Sequence, residues 1–123
     1  MNQSAQINQG DIYWIQSDEP SETELGHYAH PYVVVQENLF NHSRVKTVIV
    51  CALTSNLKRA NDPGNILLNA GEANLPERSV VVVSKVSSVN KTQLGAYIGS
   101  LSRTRVEQIL AGMRFLQLSF FSK

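Results

Sequence analysis

The sequence predicts a mainly β domain, a small β-barrel or sandwich with one helix laid across it, and three observations carry that expectation. Short runs rich in Val, Ile and aromatic residues recur along the chain, the composition that suits a pleated, half-buried strand. Clusters of Gly, Pro, Asn and Asp separate the runs. Near the C-terminus the pattern changes to a helical one, with Val106, Ile109, Leu110, Met113 and Leu116 on a single stripe. At 123 residues, with 42% apolar and 17% charged side chains, the chain has the size and composition of one globular domain.

Residues 1–8 are polar and aperiodic and read as a flexible tail before a domain over 9–118, with 119–123 as a second tail. Gly10-Asp11 opens a first strand, Ile12-Tyr13-Trp14-Ile15-Gln16. Ser17 to His27 is acidic, with Pro20 and Gly26 as breakers, and reads as an exposed loop long enough to carry function. Pro31 has no N–H for a ladder and suits a strand start or edge, so the next strand is expected from Tyr32 to Gln36. Asn38-Leu39-Phe40-Asn41 suits a helical turn before the basic corner Arg44-Val45-Lys46.

Thr47 to Leu53 is nearly all apolar, as a strand covered on both faces would be. Lys58 to Gly64 is turn chemistry, Asn65 to Asn69 a short strand and Ala70 to Arg78 a loop. Ser79 to Ser84 contains four consecutive valines and reads as another central strand, continued past a bend by Lys85 to Val89. A turn over Asn90 to Leu94 leads to a last strand, Gly95 to Ser100. Ser102 caps the helix by accepting an orphaned N–H of the first turn. Leu118 to Phe121 carries the apolar character past the helix, and an exposed Phe120-Phe121 pair suits a subunit contact.

The single cysteine, Cys51, sits inside an apolar strand, where it reads as a small core side chain. The N-terminus lacks the cationic start and apolar run of a signal peptide, and no stretch approaches a membrane span, so a cytoplasmic protein with no membrane contact is expected. Residues 1–43 hold six carboxylates and no Lys or Arg, while 44–123 hold eleven Lys and Arg against four acids. Such segregation either steers an anionic partner to one face or cancels as the two parts interleave.

His27, His30 and His42 lack Cys or paired carboxylates at ligand spacing, and no phosphate-cradling Gly-rich loop or nucleophile elbow is present. What remains is a set of polar groups at strand ends: His27, His30, Thr54, Ser55, Asn56 and Lys85, with Lys58 and Arg59 nearby. An imidazole passes protons at neutral pH, a Lys stabilises an oxyanion, and hydroxyls bond phosphate. Together they suit metal-free RNA cleavage in which the 2′-hydroxyl is the nucleophile. Each taken singly is also an ordinary structural residue.

The order of strands, corners and helix resembles the MazF/PemK family of toxins from bacterial toxin–antitoxin pairs. The residues that carry the likeness begin with Gly10-Asp11-Ile12-Tyr13-Trp14, Gly26-His27, Pro31-Tyr32-Val33-Val34-Val35 and Phe40-Asn41. They continue with Val48 to Ser55, Leu75-Pro76, Ser79-Val80-Val81 and Gly99-Ser100-Leu101-Ser102, so the likeness covers about residues 9–117. The resemblance implies an SH3-like small β-barrel of the CcdB/PemK type with a C-terminal helix packed on it, and a homodimer. It implies a sequence-specific endoribonuclease that cuts single-stranded RNA without metal or other cofactor and leaves cyclic phosphate ends. It also implies a cognate antitoxin whose acidic tail occupies the RNA groove.

On this resemblance the catalytic set is His30, Thr54 and Lys85, and the RNA-contacting set is His27, Tyr28, Ser55, Asn56, Lys58, Arg59 and Ser84. Four positions depart from the family. Its catalytic Arg before the Pro is His30, its Asp-Gln pair after the valine strand is Ser84-Lys85, and a further Arg used by PemK-like members is Val82. Guanidinium is a permanently charged planar fork, whereas imidazole offers fewer donors and a pH-dependent charge. Either His30 and Lys85 rewire a working nuclease, or the protein acts by binding RNA, its antitoxin or, as CcdB-type toxins do, gyrase.

Overall fold

The computed structural model describes residues 6–16 and 29–121. Six strands form one antiparallel sheet: β1 (Asp11–Gln16), β2 (Ala29–Val34), β3 (Thr47–Thr54), β4 (Ile66–Leu68), β5 (Ser79–Asn90) and β6 (Tyr97–Ser100). Their order is β4-β5-β3-β2-β1-β6. A single helical turn, α1 (Asn38–Asn41), links β2 to β3, and a long helix, α2 (Arg103–Phe121), closes the chain. The expected barrel is a half-barrel: the sheet curls, but its edge strands β4 and β6 are not laddered to each other. The 3-10 turn Glu72–Asn74 bridges the gap, where Asn74 Nδ2 donates to the Ile98 carbonyl at 3.0 Å.

Successive strand residues face opposite sides, so the near-continuous apolar runs fill two cores. Ile12, Val33, Cys51, Leu53 and Val81 pack with Val106 and Ile109 of α2 on one side. Tyr13, Ile15, Val34, Val48 and Val50 form the other cluster. The helical stripe is where the sequence puts it, and Arg105 N–H donates to the Ser102 hydroxyl at 3.2 Å as the cap requires.

Several boundaries differ from the sequence expectation. Strand β2 starts at Ala29 rather than Tyr32. Pro31 is tolerated inside it because pairing with β3 begins only at Tyr32, leaving one of its sides unladdered there. Ile7 packs on the second cluster and Asn8 N–H bonds the Asp11 carboxylate at 2.9 Å, so order begins before residue 9. The helix continues through Leu118 to Phe121 instead of stopping short of them. Strand β3 is not covered throughout: α2 lies over β4 and β5, leaving Ile49 39% exposed. The acidic loop of residues 17–27 lies outside the described residues.

The bend expected in the valine strand is a large bulge. Cys51 pairs with Val86 and Leu53 with Val81, so Val82 to Lys85 stand opposite Ala52 alone. The backbone groups freed there find side chains. Cys51 Sγ–H donates to the Val82 carbonyl at 3.0 Å, and Val83 N–H donates to Asn65 Oδ1 at 3.0 Å. Burial pushes the Cys51 thiol up to about 12, which fits a structural thiol rather than a nucleophile.

Helix α2 crosses the bulge where glycine meets glycine. Asp62-Pro63-Gly64-Asn65 is a tight turn, closed by Asn65 N–H to the Asp62 carbonyl at 3.2 Å, with Gly64 at φ +86°. A Cβ on Gly112 would stand 2.2 Å from the Gly64 carbonyl oxygen. On an open helix face Gly→Ala stabilises by about 1 kcal/mol. Here Gly112→Ala is expected to lower stability instead, measured as a drop in the urea midpoint; a rise in the midpoint would contradict this crossing.

Candidate active site

The register of β2 on β3 pairs Tyr32 with Ala52, Val33 with Cys51 and Val34 with Val50. Continued two residues outward, it sets His30 across from Thr54, and directly opposed residues share a face. On the other side of β3, Thr54 pairs with Val80, so the residues just before β5 arrive at the same end of the sheet. A cavity of about 260 Å³ opens there, lined by Trp14, His30, Pro31, Thr54, Ser55, Leu75, Pro76, Glu77 and Ser79 among others. The two polar corners singled out in the sequence thus meet.

Hydrogen bonding fixes what the corner can offer. Thr54 Oγ1 accepts the Asn56 N–H at 3.1 Å, which orients the hydroxyl and leaves its hydrogen to be donated. Asn56 Oδ1 caps the 3-10 turn Leu57–Asn61 by accepting the Lys58 N–H at 3.2 Å. Asn56 thus uses its carbonyl oxygen on the corner, and both it and Ser55 beside it are exposed. The cavity brings together an imidazole, a carboxylate and several hydroxyls, groups that transfer protons and bond phosphate oxygens.

Not every candidate comes to this cavity. Arg59 and Ser84 line a different one of about 390 Å³, with Phe115 and Leu116 of α2. Arg59 Nε is 2.7 Å from Asp62 Oδ2 there. Lys85, exposed on the bulge, lines neither cavity. Its neighbour Val86 pairs with Cys51, three residues along β3 from Thr54, about 10 Å at strand rise. Lys58 is exposed on the turn after Asn56. His27 and Tyr28 lie outside the described residues. Trp14, Glu77 and Ser79 were missed by the sequence reading. Pairing the valine strand antiparallel to Thr47–Leu53 would have brought Glu77 to Thr54, but the sequence does not give that register.

The segment that delivers Leu75, Pro76 and Glu77 is held under constraint. Gly71, Ala73 and Asn74 all have left-handed backbones, at φ 91°, 49° and 62°. A non-glycine residue there costs about 1 kcal/mol and persists only where its surroundings fix it. Glu72 supplies the fixing. Its carboxylate takes Arg105 Nε at 2.9 Å and Nη2 at 2.8 Å, and the Asn69 N–H at 2.8 Å. The Arg105 hydrogen bond is the main cause that holds the Glu72 carboxyl below its ordinary range.

Residues 8–116 match the family described as PemK-like, MazF-like toxins of type II toxin–antitoxin systems. The chain belongs to this PemK/MazF toxin family. It is 34% identical over 108 residues to endoribonuclease MazF2 of Mycobacterium bovis and, equally, to endoribonuclease MazF6 of Mycobacterium tuberculosis, covering 88% of this chain and 94% of each relative. A MazE–MazF structure from Deinococcus radiodurans superposes with a TM-score of 0.74 at 15% identity, over 93% of this chain and 97% of that one. A mycobacterial endoribonuclease in complex with its cognate antitoxin gives 0.69 at 20% identity, over 88% and 91%. These likenesses confirm the PemK/MazF fold. Among the described residues no helix is long and apolar enough to cross a membrane.

Because the Glu72 carboxyl is lowered in the fold, its contribution is complete above the ordinary carboxylate range and fades as pH falls through the lowered value. Glu72→Gln is expected to cost about 1 kcal/mol at neutral pH, the ion pair being only partly exposed. The difference should shrink below about pH 4, read from paired thermal melts. A deficit that does not change with pH would show that the charge is not what holds the segment.

Proposed function

We propose that this protein is the toxin of a type II toxin–antitoxin pair and acts in the cytoplasm by cutting single-stranded RNA, messenger RNA included, at specific sequences without a metal ion. The ribose 2′-hydroxyl attacks the adjacent phosphorus, leaving 2′,3′-cyclic phosphate and 5′-hydroxyl ends. One observation carries this reading: His30, Thr54 and Ser55 surround a single cavity in a chain of the MazF family. The curated relatives named endoribonucleases support the same activity.

Thr54 donates its free hydroxyl hydrogen to a non-bridging phosphate oxygen, and Ser55 adds a second donor beside it. His30 moves a proton where the family's Arg supplies fixed charge. Lys58 and Lys85, exposed outside the cavity, fall to the RNA backbone beyond the scissile phosphate, where their contribution weakens with salt. The partners are RNA, a cognate antitoxin and a second copy of the chain. Antitoxin-bound structural neighbours support the first protein partner. The exposed Phe115, Leu118 and Phe120 on α2 support the second.

Incubation with a long single-stranded RNA in excess EDTA is expected to give discrete fragments, and Thr54→Ala to slow their appearance by about 100-fold. Intact RNA, or cutting restored only by added metal, would sink the reading. His30→Ala is also expected to slow cutting by about 100-fold in the same digestion, and unchanged cutting would remove His30 from the chemistry.

A further inference from the structure

Resting on the nuclease reading above, we infer that Glu77 is the general base of the cleavage step and His30 its general acid. A transfer through the 2′-hydroxyl needs two proton movements, one off the nucleophile and one onto the leaving oxygen. Among the described residues lining the cavity, the groups that ionise are His30 and Glu77, the rest being hydroxyl or apolar. The other departures from the family's pattern supply no second group here: Ser84 lines the other cavity, Lys85 lines neither and Val82 is buried.

Glu77 reaches this position through its surroundings. It lies three residues before Val80, the partner of Thr54. The Ser79 hydroxyl donates to the Glu77 carbonyl at 3.1 Å, and the Glu72–Arg105 pair fixes the turn from which it emerges. These contacts hold the backbone of the segment on which Glu77 lines the cavity. The division of labour follows from ordinary acid–base chemistry. A carboxylate takes up a proton as a base, and an imidazolium gives one up as an acid.

The step balances on these two groups. The Glu77 carboxylate takes the proton from O2′ as the O2′–P bond forms. The P–O5′ bond breaks, and the His30 imidazolium gives its proton to O5′. Glu77 is then protonated and His30 neutral, and exchange with water restores both. Trp14 and Pro31 form part of the apolar lining beside these two groups.

The test uses an RNA oligonucleotide containing one mapped cut site, and a second in which the 5′ bridging oxygen at that site is sulfur. A thiolate leaves without a proton, so it rescues loss of the acid and not loss of the base. Glu77→Gln is expected to lower kcat about 100-fold with KM within about 3-fold, and the thiolate substrate is expected to leave that defect in place. His30→Ala is expected to recover at least about 10-fold on the same substrate. Wild-type rates in Glu77→Gln overturn the assignment while leaving the nuclease reading intact. So does rescue of Glu77→Gln, or a His30→Ala defect that the thiolate does not relieve. A wild-type protein inert toward RNA overturns both. Because the Ser79 bond goes to the Glu77 backbone, the side-chain change is expected to keep the thermal midpoint, and the two-substrate comparison within one variant holds whatever its stability.

Discussion

Opposite the single residue Ala52, strand β5 carries four, Val82 to Lys85, and much of the remaining structure is arranged around that mismatch. A bulge sharpens local twist, and here it divides β5 into a half that pairs with β4 and the end of β3, and a half that pairs with the start of β3. The sheet curls at that division. Buried peptide groups left over by a bulge must be satisfied, and Cys51 and Asn65 satisfy the Val82 carbonyl and the Val83 N–H. Asn65 is held in turn through its Nδ2, which bonds the Arg59 carbonyl at 2.9 Å. The tight turn before it presents Gly64, against which Gly112 lets α2 approach.

The same mismatch sorts the polar residues. Those on the bulge, Ser84 and Lys85, are carried away from the end of the sheet. Those beyond it, Thr54 on β3 and the segment before β5, converge with His30 at the end of β2. The cavity is thus lined by three separated pieces of chain that the antiparallel register brings together. The constrained turn Glu72–Asn74 performs two tasks at once, since Asn74 ties it to β6 and Glu72 ties it to α2 while it delivers Glu77.

Much of the fold was legible because its signals are local. Alternation and valine content marked β1, β3 and β5, the Pro-Gly turn marked Gly64, and the spacing of Val106, Ile109 and Met113 marked α2. Register is not local, and that is where the reading stopped. That Lys85 lies outside the cavity of His30 and Thr54 is not legible because a bulge of four residues leaves no signature in a run of valines, and Glu77, which lines that cavity, looks in sequence like any charged loop residue. Pro31 misled for a related reason: it forbids a ladder on one side only, and sequence does not tell which side is bonded. The likeness to the toxin family singled out Thr54 as a candidate, which composition alone left as one hydroxyl among several.

The account stands on one chemical claim, that the nucleophile is the RNA's own 2′-hydroxyl, activated in the cavity between His30, Thr54 and Glu77. Replacing the ribose on the 5′ side of one mapped cut site by deoxyribose tests it most directly. The account expects cutting at that phosphate to disappear while binding of the oligonucleotide persists. Continued cutting at the deoxy position would contradict it, because the nucleophile would then have to come from water or from the protein.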